Sequence, residues 1–305
     1  MFQKKILTMG VEREPECLRI YGIGCRHNES KYSTDQLPLL QPLWNLALEN
    51  QYYTQSPLFP IVIGVGSFFL FTLPFTFIDF YGKDWAWVKK YRIHPETTVT
   101  WPMVRHAAGL TLWNQVLYIL PVSIAQCTWT SDTELPFLAP SLWDFLWHQF
   151  ACLAIYDFFI FVWHIIHHRS RFLYRHFHSV HHRPSVVNCW VSQYVHPWEL
   201  FCVGIFGTTP PWIVGAHPMT IWGFMIFSAF LGVETHSGYD FPIMLHRWFP
   251  FFGGTVKHEM HHQRPLVNFQ PYFTWFDRLF GTECPGMQAG AFKPKTLLEW
   301  ERKEQ

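Results

Sequence analysis

Two long stretches of this 305-residue chain lack lysine and arginine altogether: positions 106–168, between Arg105 and Arg169, and positions 184–246, between Arg183 and Arg247. A water-facing domain scatters its cations over its surface, so crowding all 23 basic residues into the remaining stretches points to a membrane protein. The net charge of +1 offers no basic field for nucleic acid, and the absence of any zinc-finger or RNA-binding motif sets that partner aside. The cysteines, Cys17, Cys25, Cys127, Cys152, Cys189, Cys202 and Cys284, are dispersed, odd in number and free of CxxC, which excludes a disulfide framework and a thiolate metal site. The opening MFQKKILTMG has no apolar run of the cleavable-signal kind, so the first membrane span itself is expected to direct insertion. Internal repeats, low-complexity tracts and coiled-coil heptads are also missing.

What the chain has instead is apolar and aromatic: 49% hydrophobic and 19% aromatic residues. The expected fold is all-α, a polytopic transmembrane helical bundle. Residues 58–78 are uncharged and long enough to cross hydrocarbon; a second span is expected over 107–126, with Asn114 and Pro121 inside it, and a third over 142–166. Residues 200–233 carry no formal charge but are interrupted by Thr208-Thr209-Pro210-Pro211 and His217-Pro218, which predicts a hairpin of two spans or half-spans.

Lys83, Lys89, Lys90, Arg92 and Arg105 lie between the first two spans, whereas 127–141 holds only Asp132 and Glu134. The positive-inside rule makes the first loop cytosolic and the second lumenal. The chain then divides into a lumenal segment, 1–57, with a glycosylation acceptor at Asn28; two spans within 58–141; a catalytic region, 142–282; and a cytosolic tail, 283–305. Arg302-Lys303 near the end resembles a di-basic retrieval signal.

Nine of the 18 histidines occupy three five-residue clusters, His164-Ile-Ile-His167-His168, His178-Ser-Val-His181-His182 and His258-Glu-Met-His261-His262. On a helix, positions i, i+3 and i+4 share a face, so each cluster aims imidazoles at one point, as a metal ion requires. Nine nitrogen ligands exceed what one ion coordinates, and adjacent histidines diverge by about 100° around a helix. The expectation is therefore a cytosolic dinuclear site in which neighbouring histidines reach different ions. Imidazole suits iron, copper, nickel and zinc. A site at the mouth of apolar helices favours iron and dioxygen chemistry on a lipid C–H bond.

Residues 157–199, ETHSGYDFP at 234–242 and HEMHHQRPLVNFQPYFTWFDRLFGT at 258–282 resemble the fatty acid hydroxylase and sterol desaturase superfamily, and within it the branch that hydroxylates cholesterol at side-chain carbon 25. LQPLW at 40–44, QSPLFP at 55–60 and YRIHP at 91–95 extend the resemblance. It implies an endoplasmic-reticulum monooxygenase with two iron ions that inserts one atom of O2 into a sterol and releases the other as water. The family's HxxxH box falls on His164 and His168, its two HxxHH boxes on His178, His181, His182 and on His258, His261, His262, and His236 of HSGYD adds a ninth ligand. Other branches carry a further histidine where this chain has Asp240. No G-x-G-x-x-G follows a strand and no haem-binding HPGG occurs, so electrons from NADPH or NADH are expected through a separate flavin reductase, with cytochrome b5 as a carrier.

The family box omits His167, which is expected to bear on the site indirectly or to face the surface. His196, before Pro197, either orients a ligand or ends a segment. Asp157 lies two turns before His164 on the same face and is expected to bind a ligand's second ring nitrogen; Glu234 and Asp240, flanking His236, are candidates for the same role. His27, His94, His106, His148, His176, His217 and His246 read as ordinary. Two alternatives stand beside sterol hydroxylation. One is sterol C-4 methyl oxidation or desaturation on the same scaffold, to which HSGYD and HPWE are also similar; the other is metal transport or storage.

Overall fold

A computed structural model describes residues 37–129 and 132–286; Asn28, the Arg302-Lys303 pair and most of the segments they belong to lie outside the described residues. Among the described residues the chain is helical, and its β-type pairings are two isolated bridges, Arg92 with Tyr239 and Phe252 with Phe273. The helices that matter for the site are α1 (Gln41–Glu49), α2 (Phe59–Gly82), α3 (Trp101–Thr128), α4 (Leu142–Arg169), α5 (Pro197–Ile213), α6 (Pro218–Thr235), α7 (Gly254–Gln263) and α8 (Trp275–Leu279). Four of them, α2, α3, α4 and α6, are long and apolar enough to cross a membrane. The chain is a multi-pass membrane protein.

Helices α2, α4 and α6 run in one direction. Gly64 lies against Met225 and Phe71 against Phe230, while the Gln149 side chain donates to the Thr220 carbonyl. Helix α5 returns antiparallel to α4, with Phe159 against Phe206 and Trp198 beside His167. The expected hairpin over 200–233 is thus α5 and α6, but its break lies later than the prolines suggest. Pro210 and Pro211 stay inside α5, and the chain turns at Gly215, whose φ of 62° belongs to the left-handed region that glycine adopts without a Cβ penalty. Both α5 and α6 open on His-Pro. The His196 and His217 rings accept from the main-chain N–H of Trp198 and Met219, and each following proline has the preset φ of a first helical residue. This settles His196 as a helix cap.

The ends of the bundle differ in character. At one end, Trp44 of α1 is fully buried and donates to the Pro136 carbonyl, while the Gln41 amide clasps Phe137 and Ala139 ahead of α4. Ser141 then caps α4 by accepting from the Asp144 N–H, with its hydroxyl returned to the Asp144 carboxylate. At the opposite end the histidines gather. Between the two, the run 188–195, built on a 3-10 helix at Cys189–Gln193, is tucked against α2 and α3, which membrane depth permits only if its unpaired carbonyls find donors. Asn114 and Thr111 of α3 supply them, bonding to the carbonyls of Val195 and Gln193 at 2.9 and 3.3 Å. Asn114, apparently misplaced in an apolar span, is thereby explained.

A buried polar knot fixes the histidine end of α2 to the loop after α6. The Tyr239 hydroxyl donates to Asp79 at 2.7 Å, and Arg92 stands 3.8 Å from the same carboxylate oxygen. Removing the hydroxyl leaves a buried carboxylate short of a donor, at a cost of about 1–3 kcal/mol. Tyr239→Phe is expected to lower the thermal unfolding midpoint of the purified protein without removing the aromatic packing on Phe75 and Phe241; an unchanged midpoint would show that the knot carries no stability.

Candidate metal centre

Each histidine group stands on a different local scaffold. His164 and His168 end α4, and His258, His261 and His262 lie on α7. The middle cluster departs from the helical expectation: His178 begins a 3-10 turn, His178–Val180, that runs into a turn at His181 and His182. Pro184 explains the difference, since the residue before a proline is pushed out of helical geometry and no α-helix can propagate through Arg183. His236 caps the carboxyl end of α6.

The fold brings all nine together in two groups. His164, His168, His178, His182 and His261 form one, and His181, His236, His258 and His262 form the other; within each group the ring nitrogens lie within 4.8 Å of one another. Adjacent histidines divide between the groups, 181 from 182 and 261 from 262, as the angular argument anticipates. His167 joins neither. Its Nδ1 donates to the Trp163 carbonyl, its Nε2 accepts from the Trp198 indole, and its ring stacks on Trp163 at 3.7 Å.

Hydrogen bonds on the far side of the rings fix what the near side presents. His164 Nδ1–H donates to the Phe269 carbonyl at 2.7 Å, His261 Nδ1–H to Val267 at 2.8 Å and His236 Nδ1–H to Gly232 at 2.8 Å. His178 Nδ1–H donates to both Glu199 oxygens at 3.1 Å. With the Nδ1 protons so assigned, each Nε2 holds only a lone pair in the neutral ring. Yet His164 Nε2 and His178 Nε2 stand 2.9 Å apart. Two lone pairs at that distance repel unless a cation lies among them, so these donors fit a metal ion. His168 Nε2, buried and without a partner, aims into the same group.

Burial keeps the rings neutral, as ligation demands. It pushes His181 down to about 4 and His236 down to about 3, and burial together with neighbouring imidazoles holds His178 and His182 well below the ordinary histidine range.

The expected partners of the ligands are placed differently. Asp157 does share a face with His164, but seven residues are about 10 Å along a helix axis, too far for a hydrogen bond. It accepts instead from the Tyr272 and Phe273 N–H groups, at 2.8 and 3.2 Å, and from the Gln270 amide. Since Phe269 in that loop carries the acceptor for His164, Asp157 acts on His164 at one remove. Glu234 and Asp240 turn toward His246 rather than His236: Asp240 accepts from His246 Nε2 at 2.8 Å and from Arg247, and Glu234 lies 3.5 Å from His246 Nδ1. His246 in turn fills the space beside Gly254, where a Cβ would fall 2.1 Å from its Nδ1. The position that other branches give to histidine is therefore spent on anchoring the start of α7.

Two carboxylates near the ligands escaped sequence reading. Glu199 is the single charged residue in 184–233, and an isolated charge within an apolar run is a signal of function. Glu259 sits inside the third cluster and pairs with His94 at 2.9 Å; that bond raises His94 above its ordinary value, so His94 is not a bystander.

A carboxylate on a ligand's second nitrogen contributes roughly 10–100-fold to metal affinity. Glu199→Ala should lower affinity by that order in competition with a chelator, with Glu199→Gln falling between it and the parent. In metal-free protein the depressed histidines, His258, His261 and His262 of α7 among them, give a definite pH response. At each of these histidines the unfolded state binds more protons than the folded state below about 6.5, so their contribution to stability rises with pH there. The unfolding midpoint should fall progressively from pH 7 toward pH 4, and a flat profile would contradict neutral buried rings.

Residues 149–282 match the family model described as fatty acid hydroxylase. The chain is 39% identical over 247 residues to cholesterol 25-hydroxylase-like protein 2 of Danio rerio, covering 80% of this chain and 88% of that protein. It is 37% identical over 261 residues to human cholesterol 25-hydroxylase, covering 85% and 95%, and 38% identical over 250 residues to the mouse protein, covering 80% and 82%. No solved structure matches it. Likeness of this extent runs well beyond the histidine clusters, and the chain belongs to the fatty acid hydroxylase family.

Proposed function

We propose that the protein is a sterol monooxygenase that inserts one oxygen atom of O2 into a C–H bond of a membrane sterol, converting cholesterol to 25-hydroxycholesterol, with two iron ions held by the nine histidines. The observation that carries this reading is the convergence of proton-free Nε2 atoms in two groups at one end of an apolar helical bundle. The names of the relatives support the choice of sterol and carbon. His164, His168, His178, His182 and His261 would hold one ion; His181, His236, His258 and His262 would hold the other. Bound there, the iron pair supplies activation of O2 and cleavage of an unactivated C–H bond, chemistry that no side chain offers.

The chain's own residues do the rest. Glu199 and the carbonyls of Gly232, Val267 and Phe269 hold four rings in one tautomer and one orientation. The spanning helices keep the substrate within the bilayer and water away from it, with residues 142–282 as the catalytic unit. The two electrons come from NADPH or NADH through an external flavin reductase, with cytochrome b5 as a carrier. The positive-inside bias supports a histidine end facing the cytosol and an amino terminus, with Asn28, facing the lumen of the endoplasmic reticulum.

Feeding isotopically labelled cholesterol to cells that express the protein is expected to yield labelled 25-hydroxycholesterol by mass spectrometry. Unchanged cholesterol with loss of 4-methyl sterols would instead assign methyl oxidation. His181→Ala and His261→Ala should each cut product by at least about 100-fold and lower bound iron, since each removes one ligand and leaves its neighbours misaligned. His176→Ala, whose exposed ring bonds only to its own helix, should change neither. Metal flux that survives in the turnover-dead variants would favour transport.

A further inference from the structure

Helix α4 is 28 residues long. That is about 42 Å, whereas membrane hydrocarbon is about 30 Å thick, so a spanning α4 overhangs by about 12 Å in total. Wherever the helix is slid along its axis, the stretch from Phe150 to Phe161, about eight residues in from either end, stays inside the hydrocarbon, and tilting only widens that stretch.

Side chains from the far end of the sequence pack on this stretch. Phe273 and Trp275 lie against Phe150, with ring centroids 6.1 and 6.2 Å away. Phe276 meets Phe158 at 5.2 Å, and Phe280 meets Phe161 at 5.5 Å. The segment 249–253 is held at the same level through the Phe252–Phe273 bridge and the Gly253 N–H, which donates to the Tyr272 carbonyl at 2.7 Å. Neither segment belongs to a helix long enough to span. We propose that 249–253 and 272–280 together form a re-entrant element that enters the hydrocarbon from the histidine end and returns, with its outer face against lipid acyl chains.

Two independent features fit that occupant. Apart from Arg278, the outer face is apolar and continuous with the lipid-facing flank of α4: Leu279 is 72% exposed and Phe280 62%, beside Phe158 at 41%. Inside, the irregular backbone is satisfied as hydrocarbon requires and water would not. Asp157 takes the N–H groups of Tyr272 and Phe273, Gln270 Oε1 takes those of Phe276 and Asp277, and Asp277 takes those of Phe269 and Gln270. The cation within the element, the half-exposed Arg278, is paired with Glu283 and donates to the Pro250 carbonyl, and Lys257 beside the element pairs with the same carboxylate. Asp157 and Asp277 thereby acquire a purpose: they carry a loop into the membrane.

Nitroxide accessibility tests this without relying on catalysis. Cys17, Cys25 and Cys127 are replaced by serine, and a spin label is placed at Leu279→Cys in phosphatidylcholine nanodiscs. Leu70→Cys on the lipid face of α2 and Lys83→Cys beyond its end serve as references. The ratio of collisions with O2 to collisions with a water-soluble nickel chelate should be several-fold higher at 279 than at 83 and close to that at 70. A ratio nearer to that at 83 would overturn the proposal and leave this face open to water or to a soluble partner protein. Phe280→Cys provides the same reading should the first variant fail to fold.

Discussion

Proton-free nitrogens facing one another across about 3 Å are the constraint on which the rest of this structure depends. An imidazole whose Nδ1–H is committed to a carbonyl or carboxylate has nothing but a lone pair to offer its neighbour, and His164 and His178 are held in that relation at 2.9 Å. Packing alone does not favour such an arrangement. It persists because each ring is gripped from behind, and each grip belongs to a different part of the chain: Phe269 to the loop after α7, Glu199 to the first turn of α5, Gly232 to α6. The helices, their caps and the buried knots serve to bring these acceptors to their places.

The supports of the supports are as specific as the ligands. Asp157 reaches His164 only through the loop whose backbone it satisfies, and Asp240 reaches the third cluster only through His246 and the glycine that starts α7. A carboxylate buried in apolar surroundings is costly, and the cost is offset where it takes up several main-chain N–H groups that have no other acceptor. The same economy operates at Asn114 and Thr111, which let a run that is not α-helical lie between spanning helices.

Much of this was legible from sequence because the strongest signals are compositional. Absence of charge located the spans, and repeated histidine spacing located the rings that converge in two groups, since both survive any uncertainty in backbone path. The departures follow from information that spacing does not carry. Pro210 and Pro211 read as breakers, yet they sit near a helix end where the interruption costs least; the true turn needed the left-handed backbone of Gly215. Asp157 was placed on the correct face but matched to a partner two turns away, because periodicity reports angle and ignores rise. Glu199, His94 and Glu259 were overlooked because their partners are distant in sequence, 21 residues in one case and 165 in the other.

The division of adjacent histidines has a thermodynamic consequence. The turn at 178–182 and helix α7 each supply rings to both groups, so neither group can be assembled without ordering the scaffold of the other. If each group takes an ion, as proposed, the first to settle would meet part of the conformational cost of aligning the second group and so favour the second ion through that ordering. Under the proposed two-ion reading, the shared scaffold would couple the filling of one group to that of the other.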